Sequence, residues 1–114
     1  MTIEYAWEKL MQAVDSLATG TGRLQERLAD AALFLIRLRP EDIPEGDLRR
    51  TFLGVMDDLT YAQGEEGSIA ASLKIKDDED ARAIAQRIVA LFHAIVREMH
   101  DRGPPRADLI ISDK

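Results

Sequence analysis

The chain has 114 residues, of which 46% are apolar, 32% charged and 5% aromatic, and it contains no cysteine. That length fits one domain and allows roughly two thirds of the unfolded surface to be buried, so neither metal nor disulfide staples are needed. Without cysteine there is no disulfide framework, Zn–Cys site, Fe–S cluster or Cys nucleophile. Lys plus Arg is 15 and Asp plus Glu is 21, giving a formal charge of −6. That charge disfavours nucleic acid, whose binding rests on neutralising phosphates. The longest apolar run, Ala31 to Ile36, is far too short for about 30 Å of hydrocarbon, so no membrane span is expected. Met1-Thr2-Ile3-Glu4 shows no basic region ahead of an apolar run, which makes the cytoplasm the expected compartment.

The first helix is predicted over Ile3 to Thr19, with Thr2 as its N-cap. Ile3, Trp7, Leu10, Val14 and Leu17 recur every three or four residues and form one stripe at about 100° per residue. Ala6 and Ala13 widen one flank of the stripe, and Met11 and Ala18 the other. Gly20-Thr21-Gly22 breaks the helix, with Gly20 placed for the left-handed position and Thr21 able to cap the next helix. The second helix is predicted over Gly22 to Leu38, on the stripe Leu24, Leu28, Ala31, Leu35 and Leu38. In its second half Ala29, Leu33 and Ile36 project away from that stripe. Apolar character nearly all round calls for cover on two sides, by another helix, a loop or another chain.

Arg39 to Pro44 turns the chain, with Arg39 and Ile43 extended because each precedes proline. Pro44 suits the first turn of a third helix that runs to Thr60 on Leu48, Phe52, Val55 and Leu59, leaving Leu53 off the stripe. The 16-residue connector Tyr61 to Lys76 is too long to be structureless. Alternating Ile69, Ala71, Leu73 and Ile75 suggest an extended cover over the bundle's open end, although a helical turn from Ser68 fits nearly as well. A small-ligand pocket beneath this connector is a further possibility. The fourth helix is capped by Asp77, with Asp78, Glu79 and Asp80 in its first turn and Arg97 and Arg102 near its end. Asp78 to Arg82 and Glu98 to Arg102 are favourable pairs four apart. Its broad apolar face runs from Ala81 through Ile84, Ile88, Leu91 and Ile95 to Met99. The fold expected is all-α: a four-helix, mostly antiparallel bundle over residues 1–103, with consecutive helices as neighbours and a tail over 104–114.

The helical stripes carry no Asp, Glu or His, and no Glu-x-x-His occurs. Neither a metal site nor a cofactor is therefore expected. His93 and His100 lie seven apart with Arg97 between them. They form either a pH-sensitive or anion-binding strip, joined by Arg82, or boundary residues whose rings cover apolar neighbours. Gly20-Thr21-Gly22-Arg23 lacks the preceding strand and Gly-Lys-Ser/Thr ending of a phosphate loop, and Ser16, Ser68 and Ser72 lack a nucleophile context. The acidic clusters at Glu41-Asp42 with Glu45 and Asp47, and at Asp77 to Asp80, read as caps or as a docking surface for a basic partner.

The segment Arg-Ile-Val-Ala-Leu-Phe-His, Arg87 to His93, resembles the Arg-x4–6-His signature of the HEPN ribonucleases, which are small helical bundles. That resemblance implies RNA cleavage by Arg87 and His93. Tyr5-Ala6-Trp7, Leu24-Gln25-Glu26-Arg27-Leu28 and Glu41-Asp42-Ile43-Pro44 are similar to small uncharacterised bacterial helical proteins, which implies bacterial origin and a helical fold but no activity. The residues themselves point to a non-enzymatic interaction protein: a self-associating subunit, or a small adaptor or antitoxin-like partner. Its interface candidates are Ala29, Leu33, Ile36, Leu53, Leu109, Ile110 and Ile111.

Overall fold

A computed structural model describes residues 3–62 and 67–102. Among these the chain is all-helical, with helices α1 (Ile3–Thr19), α2 (Leu24–Leu35), α3 (Asp47–Thr60), α4 (Ser68–Lys74) and α5 (Asp78–Arg102), and a single 3-10 turn at Pro40–Asp42. Thr2, the tail residues Leu109, Ile110 and Ile111, and the boundary expected at residue 103 lie outside the described residues.

α1 covers the expected span, but its core line is rotated toward the alanine flank. Ile3, Ala6, Leu10, Ala13 and Leu17 are buried, while Trp7 and Val14 are only partly so and Met11 and Ala18 are exposed. Small side chains on the contact line let neighbouring helices approach closely, which explains why alanines occupy the centre. The α1–α2 turn differs from expectation. Gly22 takes the left-handed region with φ of 92°, and Gly20 does not. The cap of α2 is Arg23, whose backbone N–H donates to Glu26 Oε1 at 2.9 Å, and Thr21 is exposed. Arg27 closes the turn by donating from Nη1 to the Leu17 carbonyl at 2.8 Å and from Nε to the Gly22 carbonyl at 3.3 Å.

α2 ends sooner than its apolar pattern suggests. Pro40 holds Arg39 extended at φ −103° and ψ 158°, so the chain must leave the helix before it. Arg37 and Leu38 tighten into turn bonds to Phe34 and Leu35. Ile43 is extended too, as its position before Pro44 requires. Asp42, read as part of an acidic surface, is buried: its Oδ2 accepts the Arg39 N–H at 2.8 Å and so caps the 3-10 turn. α3 begins at Asp47 and not at Pro44, because Gly46 at φ 104° takes the N-cap position. Arg49 donates twice to the Ile43 carbonyl, at 3.1 and 3.0 Å, and fastens the connector to α3.

The connector is helical over Ser68–Lys74, as the alternative reading from Ser68 has it, and not an extended cover. α4 buries Ser72 and Leu73 but leaves Ile75 exposed, so the alternation in the sequence marks no strand face. A lone strand would have left its backbone groups unpaired, whereas one helical turn satisfies them locally. α4 packs against both α2 and α3, which are not themselves a principal contact pair. The expected neighbourhood of the second and third helices is thus replaced by an inserted fifth one.

α5 is the axis of the arrangement. Asp77 Oδ1 accepts the Asp80 N–H at 2.8 Å, and Glu98 pairs with Arg102 at 3.2 Å. Ala81, Ile84, Ile88, Leu91 and Ile95 are buried along its length. α1, α2 and α3 all pack on it. Ile3 and Arg49, near the starts of α1 and α3, lie with Arg102 at the end of α5, so both run antiparallel to it. α2 runs parallel to α5, since Arg23 and Asp78 meet where both helices begin. The shared core includes Phe52, Leu10, Leu28, Leu35, Leu59, Ile88 and Ile95, all essentially inaccessible. Each such side chain contributes roughly 1.5–3 kcal/mol on burial.

Candidate functional site

Two features of the surface stand apart from ordinary solvated helix. The first is an apolar groove of about 510 Å³ between the second half of α1 and the first half of α5. Val14, Leu17, Leu24, Ala85 and Val89 form most of its floor, and His93 stands at one end. At the other end it opens into a polar hollow of about 450 Å³ lined by Arg23, Leu24, Arg27, Asp78 and Arg82. Three guanidinium groups there face one carboxylate. Asp78 binds Arg23 at 3.3 Å and also accepts from Gln25 Nε2 at 3.0 Å. The Gln25 hydrogen bond, followed by Arg23 and the more distant charge of Arg82, holds the Asp78 carboxyl below its ordinary range. Arg27 is pinned by the two backbone carbonyls of the turn. The expected Asp78–Arg82 pair does not form: Asp78 reaches across to α2 instead, leaving the Arg82 guanidinium with no hydrogen bond or salt bridge among the described residues.

The second feature is the outer face of α2. Ala32 is fully buried and Ala29 half-buried. Ala29 shares a hollow of about 340 Å³ with Ala70, Leu73 and Lys74 of α4. The sequence demanded a second cover for this half of the helix, and α4 supplies it in part. Leu33 and Ile36 lie beyond its reach and remain 54% and 50% exposed. Leu53, on α3, is 45% exposed. The hollow beside α4 borders Gln25, whose Nε2 also donates to the Lys76 carbonyl at 3.1 Å. Gln25 is therefore a latch between the start of α2 and the α4–α5 junction, and its buried Oε1 has no partner.

The residues expected to form a polar strip all lie on the second half of α5. His93, Arg97 and His100 are all exposed, and of the three only His93 lines the groove. His93 has Phe92 as its ring neighbour, with centroids 6.1 Å apart. The structure does not bring Arg87 and His93 together. α5 is a regular helix across both, so they diverge by about 120°. Arg87 turns toward α3 and binds Asp58, while His93 turns toward α1.

Among the described residues no group of three or more His, Asp or Glu side chains is placed to hold a metal ion, and no helix is long and apolar enough to cross a membrane. The buried polar residues are Gln25, Asp42 and Ser72, and each serves the backbone. Gln25 donates to Lys76, Asp42 accepts from Arg39, and Ser72 Oγ accepts the Ala62 N–H at 2.9 Å. Sequence reading missed Gln25 and Ser72, whose only signal was a polar residue one step from an apolar stripe. It also missed Arg23 and Arg27, whose signal was a pair of bases four apart at the start of a helix. No protein-family model, curated protein or solved structure matches the chain.

Proposed function

We propose that this protein is a non-enzymatic interaction module that buries the outer face of α2 against another protein chain. The reading rests on one observation: α2 is apolar nearly all round in its second half, α4 covers only part of that face, and Leu33 and Ile36 are left about half exposed side by side. Completing their burial contributes roughly 1 kcal/mol each. A second copy meeting the same face would double that gain through two-fold symmetry. Stable interfaces bury about 1,200–2,000 Å² in all, so the residues around Leu33 and Ile36 must contribute most of the area. The net charge of −6 steers polyanions away and favours protein partners.

Sedimentation velocity over a wide concentration range tests self-association directly. The expected result is a reversible dimer whose association is lost in Leu33→Asp and Ile36→Asp, with the monomer still folded because both positions are half exposed. If the wild type stays monomeric, the module is an adaptor or antitoxin-like subunit. Crosslinking in the native host must then capture one defined protein that both variants lose. Failure of both measurements refutes the reading. So does RNA cleavage by the purified protein that disappears in His93→Ala.

A further inference from the structure

The α1–α5 groove lies on a different face from Leu33 and Ile36, and the interaction reading makes no use of it. We propose that it binds a single-headed amphipathic anion, a medium-chain alkyl carboxylate, with its head on Arg82 and Arg27 and its chain along the groove toward His93.

Three observations converge on that ligand. The volume of about 510 Å³ falls within the roughly 300–1,000 Å³ of small-molecule sites. From Arg82 to His93 the α5 wall is eleven residues long, or roughly 16 Å. With C–C bonds of about 1.5 Å at tetrahedral angles, an extended chain advances roughly 1.3 Å per bond, so a dodecyl chain of roughly 14 Å fits within that length with room for its carboxylate. The distribution of charge gives the groove a head end and a tail end. Arg23, Arg27 and Arg82 gather at its mouth against Asp78 alone, in a chain whose overall charge is negative. Beyond them the walls are Val14, Leu17, Ala85 and Val89, with no further permanent charge before His93.

This polarity selects the ligand. An acidic helix from a protein partner would call for cations along the groove's length, whereas a lone carboxylate needs them only at its mouth. Asp78 is already engaged by Arg23 and Gln25, so it neutralises Arg23 and leaves Arg82 to the incoming anion. Arg27 is held in place before the ligand arrives, because its Nη1 and Nε are fixed by the Leu17 and Gly22 carbonyls. Preorganisation of that kind lowers the entropic cost of engaging the carboxylate. A carboxylate also matches the planar fork of a guanidinium better than a cationic or neutral head could.

The test is titration of the intact protein with sodium dodecanoate below its micellar concentration, followed by calorimetry and by amide chemical shifts. Dodecyltrimethylammonium and butanoate serve as probes of the head and of the chain. The expected result is saturable one-to-one binding of dodecanoate, with shifts confined to residues 14–18, 24–27 and 82–93. Arg82→Gln should weaken it at least tenfold, and Arg97→Gln, on the same helix but outside the groove, should not. Both arginines are exposed, so both variants should keep the wild-type melting temperature. Ala90→Glu, which places a carboxylate in the wall, should also weaken binding while preserving the fold. Equal affinity for dodecyltrimethylammonium, butanoate binding as tightly as dodecanoate, shifts centred on Leu33 and Ile36, or no saturation would each overturn the proposal.

Discussion

Ser72 is the most exacting place to test the packing of α4. Its side chain is wholly buried, and its Oγ accepts the Ala62 N–H at 2.9 Å, tying α4 to the residue pair that leaves α3. Ser72→Ala removes only the oxygen and gains about 0.5 kcal/mol of helix propensity. A net hydrogen bond is worth about 0.5–1.5 kcal/mol, and an N–H left buried without a partner costs about 1–3 kcal/mol. Ala62 is half-buried, so water can replace part of the lost bond. The destabilisation should accordingly fall at roughly 0.5–1.5 kcal/mol, the lower half of the combined range. In a domain of this size each kcal/mol lowers Tm by about 4–8 °C. Calorimetry gives the total, and amide exchange locates it: the amides of Ser68–Lys74 should lose protection before those of α1 and α5. Ser72→Val asks a different question. It places a larger, branched side chain at a wholly buried position and should cost about 1–3 kcal/mol by overpacking. If Ser72→Ala leaves both Tm and α4 protection unchanged, α4 is not docked through this bond and the account of the connector fails.

Local geometry yields three further predictions. Gly46 sits at φ 104°, and no neighbour lies within 4 Å of the point where a Cβ would stand, so Gly46→Ala should cost about 1–3 kcal/mol through backbone strain alone; a neutral result in urea denaturation would remove the strained cap of α3. Asp78 has its carboxyl pKa lowered by Gln25 and Arg23, so its stabilising contribution is present above the unfolded value near 3.8 and is lost as pH falls through the folded one. Asp78→Asn should flatten that part of the acid-unfolding curve, and an unchanged curve would show that the link from α2 to α5 carries nothing. Arg87 and Asp58 are each more than a third exposed, so Arg87→Ala should cost under about 1 kcal/mol; a loss several times larger would show that the pair organises the α3–α5 contact.

What the sequence makes legible here reflects the range of the forces involved. α1 and α5 emerge with their boundaries nearly intact because stripe, cap and macrodipole agree within a few residues of each other. The exposure of Leu33, Ile36 and Leu53 is equally visible, since an apolar side chain off the stripe has a direction that helical periodicity fixes. Several turn and cap details fail for local reasons, but the buried contacts of Gln25 and Ser72 fail because their partners are distant along the chain. Gln25 is one step from Leu24 on the helical wheel, and only the Lys76 carbonyl and Asp78, more than fifty residues away, make it a buried latch. Ser72 reads as a polar alternate in an apparent strand until Ala62 supplies its partner. The same holds for the α1–α5 groove. Ala18 was a flank of the first stripe, and Arg82 was read with Asp78 and the histidines of its own helix but not with Arg27, until the antiparallel meeting of α1 and α5 beside the start of α2 placed them around one groove. An apolar stripe specifies that a face will be covered but not how far the cover extends. At the end of α2 the cover stops at the reach of the seven-residue α4, and Leu33 and Ile36 are the side chains that it leaves half exposed.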